Sequence, residues 1–342
     1  MARKPLRILA LFEVNESPLA DDEYEELMKT RQDWITEGHV LKALRSNGHE
    51  VLLGPIHDHP REILAHVDRV NPDLVWNLVE AFRGQRRFES NVAGVLELLA
   101  IPHTGCGPHG LMICQDKALS KKILRHHRVP VPPFVVSRCA RPLKALAKSL
   151  LPVLVKPLAE EGSVGIARDS FAETEEQALR RANFLHQRMK TDVIVERYVE
   201  GRELYAGVLG DARLTVLPLR ELTFSKVPEG EPRFASFKAK WDEGYRERWG
   251  IVNTFAEDLP AGTVQKVSRL AKRTFRVLQM RGYGRIDLRL APDGQLFIVE
   301  ANPNPDIGSG EDFAEAAGKA GIPYEDLIER ITRLALTGPP KA

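Results

Sequence analysis

The 342 residues are 28% charged and 43% hydrophobic, and 49 Lys+Arg against 47 Asp+Glu leave a net charge of +2, an ordinary globular balance with length for two or three domains. The mixed charges form no basic arm or stripe, which speaks against a nucleic-acid partner, and no stretch reaches the roughly 18 apolar residues of a membrane helix. Cys106, Cys114 and Cys139 lack both C-x-x-C spacing and the density of a disulfide scaffold, and the apolar residues 8–12 are too few for a signal-peptide core, so reduced thiols in a cytoplasmic protein are expected.

Residues 6–12 predict a buried strand, 35–46 a helix stopped by Asn47-Gly48, and 50–53 the start of a second strand, a β-α-β opening. A third strand at 72–78 and a helix at 91–99 make 1–108 a small parallel α/β domain closed by Gly105-Cys106-Gly107-Pro108. A basic helix over 116–127 and the extended connector Val129-Pro130-Val131-Pro132-Pro133 open a second domain, 109–200. It carries strands at 153–156 and 193–199 with a helix at 174–189 between them. The third, 201–342, holds short strands, a polar segment at 223–250, a helix at 263–278 and a hairpin at 285–302. A segment of that length suits a lid or binding loop. The tail after Thr337 is expected to fray.

The hairpin is the most informative stretch, because Asp293-Gly294 between two alternating runs is a strong turn signal. A two-residue turn pairs Pro292 with Gln295 and sets Asp287 across from Glu300, with the carboxylates about 5 Å apart. Arg285 and Asn302 share that face. Two carboxylates and an amide oxygen form a hard oxygen set suited to Mg²⁺ held together with phosphates. From the hairpin alone, pairing with arginines on a solvated face is an equal account, and a type I turn bulged at Gly294 would put Val299 opposite Asp287 instead.

Lys156 ends an apolar strand, and the turn Glu160-Glu161-Gly162-Ser163-Val164-Gly165 follows. Its amides could cradle phosphate oxygens while the lysine supplies a point charge. The spacing matches neither a P-loop nor a dinucleotide fingerprint, and by itself the pattern is more often just a turn. Residues 193–204 end a strand in Glu196-Arg197-Tyr198-Val199, which could present a backbone edge and a carboxylate to an adenine and a ribose; a buried strand end is the simpler account.

In order, these segments resemble an ATP-grasp ligase of the D-alanine–D-alanine ligase family. The resemblance runs from Leu99 to Leu334 through Ile101-Pro102-His103-Thr104-Gly105-Cys106-Gly107, Asp116-Lys117, residues 156–166, 196–203 and 284–302, and Tyr324-Glu325-Asp326-Leu327-Ile328. It implies a three-domain ATP-grasp α/β fold with ATP between the central and C-terminal domains. Lys117 and Lys156 would contact phosphates, with Glu161, Gly162, Ser163, Val164 and Gly165 closing over them. Glu196, Val199 and Glu203 would hold adenine and ribose, and Asp287, Glu300 and Asn302 two Mg²⁺, with Mn²⁺ as a substitute. A carboxylate would attack the γ-phosphate, and an amine would attack the resulting acyl phosphate. Arg285, Lys240 and Ser163 would be the catalytic groups, Arg285 stabilising the oxyanion and Lys240 closing the site from the 223–250 lid. Small-molecule carboxylate and amine substrates and a homodimer are further implications.

The substrate half departs from the family. Its Gly-rich N-terminal motif is absent, leaving Glu13 and Glu16 in Phe12-Glu13-Val14-Asn15-Glu16-Ser17-Pro18 as candidates for an ammonium. Gly162 and Trp241 replace a serine and a tyrosine of the family's hydroxyl relay. The run 300–311 aligns without a gap and puts Glu311 where the family has the serine that binds the second substrate's carboxylate; a one-residue shift would leave Ser309 there. A glutamate repels a carboxylate, so the acceptor is expected to be cationic there or to place its carboxylate elsewhere, for instance at Lys238. The expected activity is therefore an ATP-dependent carboxylate–amine ligase acting on substrates other than two D-alanines. The alternatives are a true D-alanine–D-alanine ligase of cell-wall synthesis and, third, a non-catalytic ATP-binding regulator.

Overall fold

The computed structural model describes residues 4–16 and 19–337; the tail after Thr337 and the Ser17-Pro18 end of the segment after the first strand lie outside them. Strands β1 (Arg7–Glu13), β2 (Glu50–Ile56) and β3 (Leu74–Asn77) form a parallel sheet in the order β2-β1-β3. Parallel strands are buried on both faces, which explains the near-continuous apolar run of β1. The order reverses at β1, so the carboxyl ends of β1 and β3 flank a crevice of the kind that receives ligands in open α/β sheets.

Strands β4 (Phe134–Ser137), β5 (Val153–Pro157), β6 (Phe171–Ala172) and β7 (Val193–Arg197) make an antiparallel sheet ordered β4-β7-β5-β6. Helix Glu175–Met189 packs on it, started by Thr174, whose hydroxyl accepts the Gln177 amide while the Gln177 side chain returns to the Thr174 amide. The third sheet runs β11-β10-β8-β12-β13, with β9 paired to β8. Its strands are β8 (Arg202–Leu209), β9 (Thr215–Val216), β10 (Arg220–Phe224), β11 (Ile251–Phe255), β12 (Tyr283–Leu290) and β13 (Leu296–Pro303).

Leu204, Ala206 and Val208 of β8 and Ile286 and Leu288 of β12 pack against Val267, Ala271 and Phe275 of helix Thr263–Val277. Emptying the Phe275 site would cost about 3–5 kcal/mol. Helix Tyr324–Leu336 returns to the first sheet, where Leu327, Ile328 and Ile331 share a core with Ile8, Trp76, Val40 and Leu44. No described helix is long and apolar enough to cross a membrane.

The β12–β13 hairpin differs from the two-residue turn considered above and still delivers its consequence. Gly294 stands at φ 81°, its amide donates to Ala291, and Ala291 pairs with Gln295, so the turn is the bulged one. That alone would set Val299 opposite Asp287. A second irregularity between Asp287 and Leu288 skips Val299 and restores Asp287 opposite Glu300 and Arg285 opposite Asn302. The bulge has outside partners: the amide of the preceding Ile298 donates to the Pro130 carbonyl, and the Val299 carbonyl accepts the Lys121 ammonium.

Candidate active site

The central and C-terminal sheets face each other across a narrow cleft. Lys117 opens helix Lys117–His126, whose first turn is capped by the Asp116 carboxylate accepting the Ala118 and Leu119 amides at 2.8 Å. One turn on, Lys121 lies on the same face. Lys117 meets Glu300 at 2.8 Å and donates to the Glu160 carbonyl. Lys121 meets Glu196 at 2.9 Å, and Lys156 on β5 pairs with the other Glu196 oxygen. Lys121 escaped the sequence reading, although its spacing from Lys117 was a usable signal.

Burial would raise the carboxyl of Glu196, but the Lys121 and Lys156 ammonium groups outweigh it and hold the group below its ordinary range. Burial likewise opposes ionisation of Glu300, and Lys117 and Lys240 overcome it, bringing that carboxyl to about 2. Asp287 is gripped by both arms of Arg285, at 2.8 and 3.0 Å, yet burial wins and its carboxyl stays raised. The Arg285 guanidinium also stacks over the Tyr205 ring at 4.8 Å. Lys240 is depressed by burial first and by Arg285 second, with Asp287 and Glu300 opposing both.

Two loops close this cleft. Gly162, Ser163 and Gly165 take left-handed backbone angles, and a Cβ on Gly165 would stand 2.6 Å from Pro157 Cγ and 2.8 Å from Met189 Sδ, so only glycine fits there. Residues 223–250 contain two short helices, Phe237–Trp241 and Glu243–Trp249. The Ser163 hydroxyl donates to the Ala235 carbonyl at 2.7 Å, and the Trp241 indole N–H to the Gly162 carbonyl at 2.9 Å. The Phe237 amide completes the latch at Ile166. Trp241 thus bonds to the backbone of the Gly loop from the position where a tyrosine would use its hydroxyl.

A space of about 50 Å³ remains between these loops and β7, β8 and β12, lined by Lys156, Ser163, Glu196, Val199, Glu203 and Lys240 among others. Glu203 is bound at 3.0 Å by Arg289, whose guanidinium also donates to the Val199 carbonyl. A larger cavity of about 230 Å³ lies next to it, with Lys240 on both walls and Arg285, Asn302, Glu161, Gly162 and Trp241 on the second. Glu311 lines this cavity, exposed, at the start of helix Asp312–Lys319. Lys238, Ser309 and Glu16 are exposed and line neither space. The Ser309 amide donates instead to His39.

Apart from Glu161 and Glu13, which the sequence already offers as candidates, the residues in and behind the cavity's far wall are ones that it does not single out. Glu80 and Glu161 share the Arg86 guanidinium, each at 2.8 Å. Glu89 accepts from the amides of Asn304 and Gln115, both at 3.1 Å, and the Thr36 hydroxyl donates to Asp306 at 2.9 Å. Glu13, at the carboxyl end of β1, accepts the Glu80 and Ala81 amides, which fixes the loop after β3. Burial is the main cause that lifts Glu13 to about 7, with repulsion from Glu80 behind it. Glu37 is also lifted to about 7, by burial and then by Glu80 and Asp306. The signals available were weak: Glu80 sits in a loop, Arg86 opens the single 3-10 turn Arg86–Phe88, and Glu37 and Glu89 lie in the first turns of helices.

The donor chemistry fits a divalent ion. Asp287 and Glu300 face each other in register, Asn302 follows on the same edge, and the Asn302 amide nitrogen is buried without a partner. Among the described residues no three His, Cys, Asp or Glu side chains form a preformed cage. Two carboxylates with an amide oxygen suit Mg²⁺, which completes its octahedron with water and phosphate.

Residues 124–333 match the family model described as D-ala D-ala ligase C-terminus. The chain is 32% identical over 300 residues to the D-alanine–D-alanine ligase of Desulforudis audaxviator, covering 86% of this chain and 91% of that one. It is 30% identical over 308 residues to the uncharacterised protein y4sG of Sinorhizobium fredii, covering 86% of each. A crystal structure of the D-alanine–D-alanine ligase from Bacillus anthracis complexed with ATP superposes with a TM-score of 0.74 at 20% identity, covering 97% of this chain and 98% of that one. The chain therefore has the ATP-grasp fold and belongs to the D-alanine–D-alanine ligase family.

Proposed function

We propose that this protein is an ATP-dependent carboxylate–amine ligase that forms an amide through an acyl phosphate, releases ADP and phosphate, and uses substrates other than two D-alanines. The observation that carries the reading is the convergence of Lys117, Lys121 and Lys156 on a cleft whose other wall bears Asp287, Glu300, Arg285 and Lys240. Lysines on one side of a transferred phosphoryl group and hard oxygen ligands on the other are what that chemistry needs.

Lys117 and Lys156 bind phosphate oxygens, and the Gly162–Gly165 turn covers them. Glu196, Val199 and Glu203 hold the adenine and ribose. A nucleotide does not fit into 50 Å³, so entry requires the Ser163 and Trp241 latch to open and its reclosure then excludes water from the reactive intermediate. Asp287, Glu300 and Asn302 are the residues that would hold Mg²⁺, in two ions, where it neutralises charge on the phosphates. Arg285 stabilises the oxyanion at the acyl carbon, and Lys240 supplies positive charge from the lid to the same point.

Glu311 is the ground for proposing an acceptor other than D-alanine, since its carboxylate stands on the cavity wall with Asp306 and Asp312 nearby and Arg285 as the opposing cation, an arrangement that disfavours a further anion beside it. Phosphate release measured across D- and L-amino acids and small carboxylic acids tests this. Selective turnover of an acid and an amine other than D-alanine is expected, and brisk turnover of D-alanine alone would contradict it.

A further inference from the structure

The 230 Å³ cavity beside Arg285 is lined by four cations, Arg86, Lys240, Arg246 and Arg285. Three of them answer to carboxylates. Arg86 serves Glu80 and Glu161 at 2.8 Å each, Arg285 grips Asp287, and Lys240 stands in the field of Asp287 and Glu300. Arg246 is the exception. Among the described residues it forms no ion pair: its Nη1 donates to the Ala239 carbonyl at 2.6 Å and its Nη2 to the Asn253 amide oxygen at 3.3 Å, both neutral. A guanidinium keeps its charge, so a half-buried one without a counter-charge is electrostatically incomplete.

The surroundings hold Arg246 in that state. Asn253 of β11 pairs with Leu222 of β10, Leu222 with Glu203 of β8, and Tyr205, two residues on, with Asp287 of β12. Residues directly paired or two apart share one face of a sheet, so Asn253 faces the same space as Arg285 and Asp287. Its amide nitrogen donates to one Asp312 oxygen at 2.6 Å, and Arg220 takes the other at 3.0 Å. Asp312 is thereby committed, and Arg246 meets only the neutral amide oxygen. The helix Glu243–Trp249 that carries Arg246 starts at Asp242, whose carboxylate accepts the Tyr245 amide at 2.8 Å, and Tyr245 and Trp249 pack with Leu222 and Ile251. Those contacts hold the guanidinium at the cavity. Lys238, the place considered from the sequence for an acceptor carboxylate, lines neither space.

We propose that Arg246 receives the carboxylate of the acceptor, which is therefore an amino acid with a free carboxylate rather than a simple amine. The planar fork of a guanidinium matches a carboxylate in shape and charge. The amino nitrogen of the same molecule bonds to the acyl carbon, phosphate leaves with the C–O bond, and the released proton passes to solvent; the carboxylate on Arg246 is unchanged. The inference rests on the ligase reading and names a residue that sets the specificity of its acceptor end.

In the test the full chain receives ATP, Mg²⁺ and small carboxylic acids, with D- and L-alanine, serine and lysine as acceptors, each against its α-carboxamide, and the mixed amide is quantified by mass spectrometry. A kcat/KM about tenfold higher for the amino acid than for its carboxamide is expected. Arg246→Gln should bring that ratio close to one by raising the KM of the amino acid with kcat changed far less, and Arg246→Lys, which keeps the charge without the fork, should fall between. Equal use of both acceptor forms by the native chain, a ratio that Arg246→Gln leaves intact, or a loss shared equally by both forms would overturn this inference and leave the ligase reading standing. Absence of both amide and ADP with every acceptor would overturn both.

Discussion

The cleft and the neighbouring cavity handle their carboxylates in opposite ways. In the cleft each one is matched: Glu196 by Lys121 and Lys156, Glu300 by Lys117, Asp287 by Arg285 and Glu203 by Arg289. On the cavity wall Glu89, Asp306 and Glu311 have no ion-pair partner among the described residues, and Glu13 and Glu37 beside it are lifted to about 7. In the proposed reading the paired lysines of the cleft exchange carboxylate partners for phosphate oxygens when the nucleotide binds, and the unpaired carboxylates of the cavity mark the end of the site where substrate choice is proposed to differ.

The largest expected effect comes from breaking the matched side. Glu300→Gln should lower turnover by about 10²–10³-fold, with the thermal transition little changed because the amide still accepts from Lys117. Wild-type turnover in this variant would refute its place in the cleft. Arg285→Lys, which removes the bidentate grip on Asp287, is expected to lower kcat by about 10²-fold while moving the KM for ATP far less; a change confined to KM would count against an oxyanion role.

Trp241→Phe deletes one hydrogen bond of the latch and should lower kcat by about three- to tenfold, the equivalent of roughly 1 kcal/mol. ATP should also change the intrinsic fluorescence of the native chain, and that change should shrink in the variant. An unaltered fluorescence response would show that the latch does not move.

The smallest effect tests the unmatched side. An acid whose pKa is raised on folding, as for Glu37 from an ordinary 4.5 to about 7, holds more protons folded than unfolded between those values. Its contribution to stability is complete below about 4.5 and is lost as pH rises through 7. Glu37→Gln should therefore stabilise the protein at pH 8 by on the order of 1 kcal/mol, with the difference vanishing near pH 5. Burial comes first among the causes and the charged groups Glu80, Asp306 and Glu13 surround it, so equal melting shifts at both pH values would mean that its carboxyl is not raised in the folded protein.

The difference in legibility follows the same line. The cleft was readable because its residues lie on regular elements: a lysine at a strand end, a helix-opening lysine and a hairpin whose alternation lines up Asp287 and Glu300. Even there the pairing survives through two compensating bulges, and the second is held by Pro130 and Lys121, whose contacts with the hairpin no local pattern announces. The cavity wall was not readable. Thr36 and Asp306 meet across 270 positions of sequence, and Glu80, Arg86 and Glu89 reach the site from a loop and a helix start where side-chain direction is set by tertiary packing. Glu311 was visible only through its place after Glu300.

The central claim is that a carboxylate is activated by phosphoryl transfer before an amine takes its place. The most direct measurement uses the acid that supports turnover, labelled with ¹⁸O in its carboxylate, and follows the label by mass spectrometry. Transfer of one ¹⁸O from the acid to inorganic phosphate for each amide formed is predicted. Phosphate that emerges unlabelled while amide accumulates would contradict the account.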